Sequence, residues 1–220
     1  MRTIKNQRQL EYEESLFKGS DPLFHLARQQ AQKLGLLGIS ISFSEASLLR
    51  MLVQLANCKK FIEIGTLTGF SALAILEGLS EKGQLWTFEK NPQHAKIAKE
   101  ILHQATDKSG KTVSVIEGDA EVQLNSIVNE GPFDGIFIDG NKSAYLKYLN
   151  WAEVNIKKGG LIIADNVFLE GGVWGDPTEK FKSKQIEVMK EFNCQVSDKS
   201  KYSFSLVTTS EGLIIAKKRD

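Results

Sequence analysis

The chain has 220 residues, a length that suits one domain with a substantial core. Charged residues make up 25%, hydrophobic residues 41% and the net charge is +1, which gives no electrostatic footprint for nucleic acid or an acidic membrane surface. The polar start MRTIKNQRQLEYEE lacks the apolar stretch of a signal peptide, and no apolar run approaches the ~18–20 residues that span a bilayer. A cytoplasmic protein is expected.

In chain order, Gln7 to Phe17 reads as a helix stopped near Gly19. Asp21 caps a second helix, with Pro22 at its first position and apolar spacing from Leu23 to Leu36. Ile39 to Phe43 reads as extended. Ser44 reads as the cap of a helix over Glu45 to Ala56, whose Leu48, Leu49, Leu52, Val53 and Leu55 form an apolar face. Residues 1–58 are expected to make a helical cover over an α/β core at 59–220, the whole being a single domain, 1–220.

From Phe61 the pattern alternates. Strands are expected at Phe61–Ile64, Gln84–Phe88, Thr112–Glu117, Phe133–Ile138 and Gly160–Ala164, with helices near 70–80, 91–105, 120–129 and 142–156. A further helix near 178–192 leads to an antiparallel hairpin, Tyr202 to Val207 and Gly212 to Ala216. The fold class is α/β and Rossmann-like: a seven-stranded, mostly parallel sheet with helices on both faces and a C-terminal antiparallel hairpin. Cys58 and Cys194 lack metal-type spacing and read as buried free thiols in a reducing compartment. His25, His94 and His103 read as structural, and Tyr145, Tyr148 and Trp151 as packing residues.

The stretch FIEIGTLTGF, Phe61 to Phe70, is a buried strand, a glycine turn and the first turn of a helix. Its glycines, Gly65 and Gly69, spell G-x-x-x-G rather than the G-x-G-x-x-G of a dinucleotide site, and no Gly-Lys-Ser/Thr follows. Glu63, just before the first glycine, would repel a phosphate and favour a cation. S-adenosylmethionine, with a sulfonium, an ammonium and no phosphate, fits that requirement.

Ligands of such sheets bind at the carboxyl ends of the strands. Here every parallel strand ends in an acid: Glu63, Glu89, Asp119 after Gly118, Asp139, and Asp165 followed by Asn166. Glu89 falls about 20–25 residues after the glycine turn, where an acid accepts ribose hydroxyls; a surface glutamate before the Asn91-Pro92 helix start is the plainer alternative. Asp119 suits an adenine amino group or a helix cap equally. Asp139, Asp165 and Asn166 converge if strands four and five are neighbours. Oxygen ligands alone suit Mg²⁺, Ca²⁺ or Mn²⁺ rather than Zn²⁺. Lys142 opens the next helix, and near a cation and partly desolvated its pKa falls toward neutral, which makes it a candidate base rather than a solvated helix lysine.

These motifs together resemble the cation-dependent class I O-methyltransferases, the group of catechol and caffeoyl-CoA O-methyltransferases and their bacterial relatives. EIGTLTGFSAL resembles that family's EIGTFTGYSAL, FEKNP its acidic second-strand end, EGDA its adenine segment, FIDGNKSAYLKY its FIDADKxxYxxY, and ADNV its metal Asp-Asn pair. The resemblance covers about Ser40 to the C-terminus. It implies Glu63, Gly65, Thr66, Leu67 and Ser71 at the methionine end of S-adenosylmethionine, Glu89 at the ribose, and Asp119 and Ala120 at the adenine. It also implies Asp139, Asp165 and Asn166 around a divalent cation, Asp139 near the cofactor's amino group as well, and Lys142 as the base. Ile41 falls where the family has a cofactor contact, although Ile39-Ser40-Ile41-Ser42-Phe43 lacks the family's Met-Gln and Pro. Gly140-Asn141 replaces the family's Ala-Asp. Phe43 and Trp174 are expected to wall an aromatic substrate.

The reading is therefore a methyl transfer from S-adenosylmethionine, leaving S-adenosylhomocysteine, to a hydroxyl of an aromatic vicinal diol, in a homodimer without nucleic-acid or membrane partners. A methyltransferase for another small-molecule or macromolecular acceptor, a nicotinamide-dependent oxidoreductase and a non-catalytic binding protein are the alternatives.

Overall fold

The computed structural model describes residues 12, 15–17, 19, 21–107 and 109–219. Of the helix expected at Gln7–Phe17, residues 12, 15 and 16 are helical, Phe17 is in a turn and the rest lies outside the described residues. The described elements run α1 (Pro22–Lys33), α2 (Phe43–Leu55), β1 (Lys60–Ile64), α3 (Phe70–Gly78), β2 (Gln84–Glu89), α4 (Pro92–Thr106), β3 (Thr112–Glu117), α5 (Ala120–Gln123), β4 (Phe133–Ile138), α6 (Tyr145–Asn155), β5 (Ile156–Asp165), α7 (Ser183–Val196), β6 (Tyr202–Val207) and β7 (Leu213–Lys218). The seven strands form one sheet in the order β3-β2-β1-β4-β5-β7-β6, in which β7 is antiparallel to both of its neighbours. The expected fold class is the observed one. No described helix is long and apolar enough to cross a membrane.

The chain packs as two compact units. One comprises Met1–Phe61 and Thr66–Asp119, the other Ile62–Gly65 and Ala120–Asp220. In the first, α3 is buried on all sides except at Glu77, as its unbroken apolar composition requires. Helix α2 approaches it so closely at Gly78 that a Cβ there would lie 2.5 Å from the carbonyl oxygen of Arg50. The rings of Phe24 and Phe43 stand edge-on to Phe70, and the Arg28 guanidinium lies over Phe43 and Phe70.

In the second unit, β4 and β5 pair in parallel with Phe137 opposite Ile163 and Ile138 opposite Ala164. The next residues, Asp139 and Asp165, therefore leave adjacent strands at the same level. Helix α6 packs on α7 through Tyr145 and Phe192, ring centroids 5.3 Å apart. The C-terminal hairpin is tied to α6 by Glu153, whose Oε1 accepts from the Tyr202 hydroxyl at 2.7 Å and from Lys201 Nζ at 3.1 Å.

Several local expectations are corrected. The segment expected to be extended at Ile39–Phe43 is shorter: Ile39 closes a 3₁₀ turn, Leu37–Ile39, and α2 already begins at Phe43. Its cap is Ser42 rather than Ser44, because Ser42 and Glu45 form a reciprocal capping box: Glu45 N–H donates to Ser42 Oγ, and Ser42 N–H to Glu45 Oε2. The helix expected near 120–129 is α-helical only to Gln123 and then tightens to 3₁₀. Helix α7 starts at Ser183, after a turn-rich segment containing Gly175 and Pro177, and Lys182 N–H donates to Gln185 Oε1. Cys194 is exposed, not buried, on the outer face of that helix.

Candidate active site

The second unit holds a polar cluster where β4 and β5 end. Asp139 follows β4 directly, and its backbone N–H donates to Ile64 O at 2.8 Å. That contact brings the end of β4 against Gly65. A Cβ at Gly65 would lie 2.1 Å from the Asp139 carbonyl oxygen, and Gly65 has φ +100°. Glycine is required there by the neighbouring strand's backbone as well as by the turn. Gly140 is required for a similar reason, since its Cβ would meet Ile64 Cγ2 at 2.7 Å. Asn141 then caps the 3₁₀ turn Lys142–Ala144 by accepting from Ser143 N–H. The departure Gly140-Asn141 thus has a local structural reason.

That turn aims Lys142 inward. Its Nζ donates to Asp139 Oδ1 at 3.0 Å, to Asn166 Oδ1 at 2.6 Å and to the Tyr145 hydroxyl at 2.8 Å. The lysine side chain is 13% exposed and that of Asp139 18%. Asn166 reaches the lysine from a left-handed backbone, φ +60°, a conformation that asparagine tolerates better than most residues. Asp165 is buried, and its backbone carbonyl accepts from the Tyr145 hydroxyl at 2.8 Å. Glu63, in the same unit, is fully buried in β1. Ala120 is buried at the start of α5.

Tyr145 is the functional candidate that sequence reasoning assigned only to packing. Burial, together with the nearby Asp139 and Asp165 carboxylates, pushes its phenol well above the ordinary tyrosine range, so it remains a hydroxyl. The available signal was spacing: Asp139, Lys142 and Tyr145 recur every third residue. Tyr148 is a packing residue, as read.

Two acids and one amide could hold a hard cation. Among the described residues there is no group of three or more His, Cys, Asp or Glu that could do so. The donors are all oxygen, and a cationic group, Lys142 Nζ, already sits within 3.0 Å of both Asp139 Oδ1 and Asn166 Oδ1. The place therefore suits a cation of the magnesium, calcium or manganese type in both charge and donor chemistry.

The first unit carries the other predicted residues. The Glu89 carboxylate accepts from Leu67 N–H at 2.8 Å through Oε2 and from Asn91 N–H at 2.8 Å through Oε1, which anchors the turn after β1 to the end of β2. The Thr66 side chain is buried against the Thr87 hydroxyl, so its backbone is what the turn presents. Thr68 donates to Ala27 O, and Ser71 is buried in the first turn of α3. Asp119 pairs with Lys90 Nζ at 2.9 Å. Ile41 is buried in the short extended link before α2. Phe43, expected to wall a substrate, is instead a core residue, 8% exposed and enclosed by Phe24 and Phe70. Trp174, in the second unit, is 59% exposed, with its indole N–H donating to Asp176.

Residues 13–219 match the family model described as O-methyltransferase. The chain is 36% identical over 166 residues to a catechol O-methyltransferase of Niastella koreensis, covering 74% of this chain and 73% of that one. It is 28% identical over 218 residues to a caffeoyl-CoA O-methyltransferase of Populus kitakamiensis, covering 94% and 91%. The solved structure of an O-methyltransferase from Bacillus cereus in complex with SAH superposes with a TM-score of 0.83 at 28% identity, covering 95% of this chain and 96% of that one.

Proposed function

The chain belongs to the O-methyltransferase family, and from that premise we propose that it methylates one hydroxyl of an aromatic vicinal diol, a catechol or a caffeoyl-type compound. The donor is S-adenosylmethionine, and the reaction needs a divalent cation. The observation that carries this reading is the meeting of Asp139, Asn166 and Lys142 at one point in the second unit. The names of the catechol and caffeoyl-CoA relatives support the acceptor class.

In this reading Asp139, Asp165 and Asn166 would hold the cation, whose charge would make a neighbouring diol hydroxyl more acidic. Lys142 Nζ, as the neutral amine left once its ammonium has given a proton to solvent, takes that hydroxyl's proton. The oxygen forms a bond to the methyl carbon as the carbon–sulfur bond breaks, so the sulfonium becomes the thioether of S-adenosylhomocysteine. Glu63 and Asp139 favour the cationic methionine end of the donor. Gly65, Thr66, Leu67 and Ser71 line it, Glu89 holds the ribose, Asp119 and Ala120 meet the adenine, and Ile41 completes the set. Alignment of oxygen, methyl and sulfur supplies much of the acceleration. The nicotinamide alternative is set aside by the family match. We read the assembly as a homodimer, which exposed Met51 and Leu55 on α2 support; light scattering at twice the chain's mass is the expected result.

The test is a methyl-transfer assay with catechol. Chelator should abolish turnover and Mg²⁺ restore it. Lys142→Ala should lose about 100-fold or more in kcat while still binding S-adenosylhomocysteine. Full-rate methylation by Asp165→Ala, indifferent to chelator, would end the metal reading.

A further inference from the structure

Lys142 has three N–H donors, and each has a taker: Asp139 Oδ1, Asn166 Oδ1 and the Tyr145 hydroxyl. The first two belong to residues proposed as cation ligands. An ammonium and a divalent ion cannot share the same two oxygens, because like charges at that range repel strongly in a partly buried site. When Asp139 and Asn166 turn to the ion, Lys142 loses two of its three partners.

The third partner is of a different kind. Tyr145 is fully buried, and its hydroxyl lies 2.8 Å from Asp165 O and 3.2 Å from Ile138 O. Its one proton is thus committed to carbonyls at the ends of β4 and β5. A hydroxyl that donates there has its lone pairs left to accept, and the lysine is on that side at 2.8 Å. The lysine nitrogen also lies 5.0 Å from the centre of the Tyr145 ring. A neutral phenol competes poorly with carboxylates for a hard cation, so this contact outlasts the other two. It comes from the same short stretch of chain as Lys142, three residues on.

Resting on the reading of Asp139 and Asn166 as cation ligands, we propose that Tyr145 is the positioning residue for Lys142, keeping its amine at the acceptor's hydroxyl once those two side chains have passed to the divalent ion. Without the Tyr145 hydroxyl the lysine loses the partner that holds it off those two oxygens and competes with the ion for them. Tyr145 then affects both metal affinity and turnover, and it does so only through Lys142.

The experiment measures Mn²⁺ affinity by calorimetry, and kcat and KM at saturating Mn²⁺, for the full chain and for Tyr145→Phe, Lys142→Met and the double variant. Tyr145→Phe should weaken Mn²⁺ binding about tenfold and lower kcat about tenfold, with the KM for S-adenosylmethionine unchanged, as expected for loss of one charge-assisted hydrogen bond. In the Lys142→Met background the same substitution should change the Mn²⁺ affinity by less than about twofold. The proposal is overturned if Tyr145→Phe binds Mn²⁺ and turns over like the wild type. It is equally overturned if the substitution weakens Mn²⁺ binding as much without Lys142 as with it, since Tyr145 would then act on the strand ends and not on the lysine. A wild-type chain that binds no Mn²⁺ and ignores chelator would bring down the metal reading and the role of Tyr145 together; Mn²⁺ binding with no effect of Tyr145 brings down the role of Tyr145 alone.

Discussion

At the scale of single residues, the site depends on a few backbone positions that admit only one kind of side chain. Gly65 combines φ +100° with a Cβ position 2.1 Å from the carbonyl oxygen of Asp139. Any side chain there must push the end of β4 away, and Asp139 with it. Gly65→Ala should therefore cost about 3 kcal/mol or more in urea unfolding, the sum of backbone strain and overpacking. The same variant should lose methyl transfer in whatever fraction still folds. The glycine turn was legible in the sequence, but its tightest neighbour was not, since nothing local to Gly65 names a residue on β4. Phe43 shows the converse error: an aromatic near a ligand edge was read as a substrate wall, and its ring is packed in the core.

At the scale of elements, caps and ties decide where helices begin and how the C-terminal hairpin is held. The apolar face of α2 was plain from periodicity, but its start shifted because Ser42 and Glu45 satisfy each other's orphan backbone groups. Ser42→Ala should cost about 1 kcal/mol of stability, read from a urea midpoint shift with unchanged slope. The tie between α6 and the hairpin carries a pH dependence. Partial burial pushes the Glu153 carboxyl up, but hydrogen bonds from Tyr202 and Lys201 outweigh it, with further help from the Lys201 and Lys218 charges, and hold it below the ordinary glutamate range. A carboxyl whose pKa is lower folded than unfolded contributes stability above its unfolded value and loses that contribution as pH falls through the folded one. The stability advantage of the wild type over Glu153→Gln should thus be present at neutral pH and be lost as pH falls below the ordinary glutamate range, through the lowered folded-state value.

For the whole molecule, the sheet order determines which strand ends are neighbours, and with it the function. Five parallel strands each deliver an acid to their carboxyl ends, as read from the sequence; the fold and the family match together make this chain an O-methyltransferase rather than a nicotinamide enzyme. S-adenosylhomocysteine at about 100 times its dissociation constant should raise stability by about 2.7 kcal/mol, whereas NAD should leave the melting temperature unchanged. Chelator should leave the S-adenosylhomocysteine shift largely in place, because in the proposed arrangement the donor is held chiefly by residues other than the cation ligands.

The alternation of strands and helices, the glycine turn, the acids at the strand ends and the family were all determined by the sequence alone, because each is written in residues close together along the chain. Only the tertiary structure decided that Lys142 meets Asn166, 24 residues away, and that Tyr145 stands beneath it with its proton held by Ile138 and Asp165. Those meetings follow from the register of β4 on β5, and register is a property of paired strands that no single segment carries.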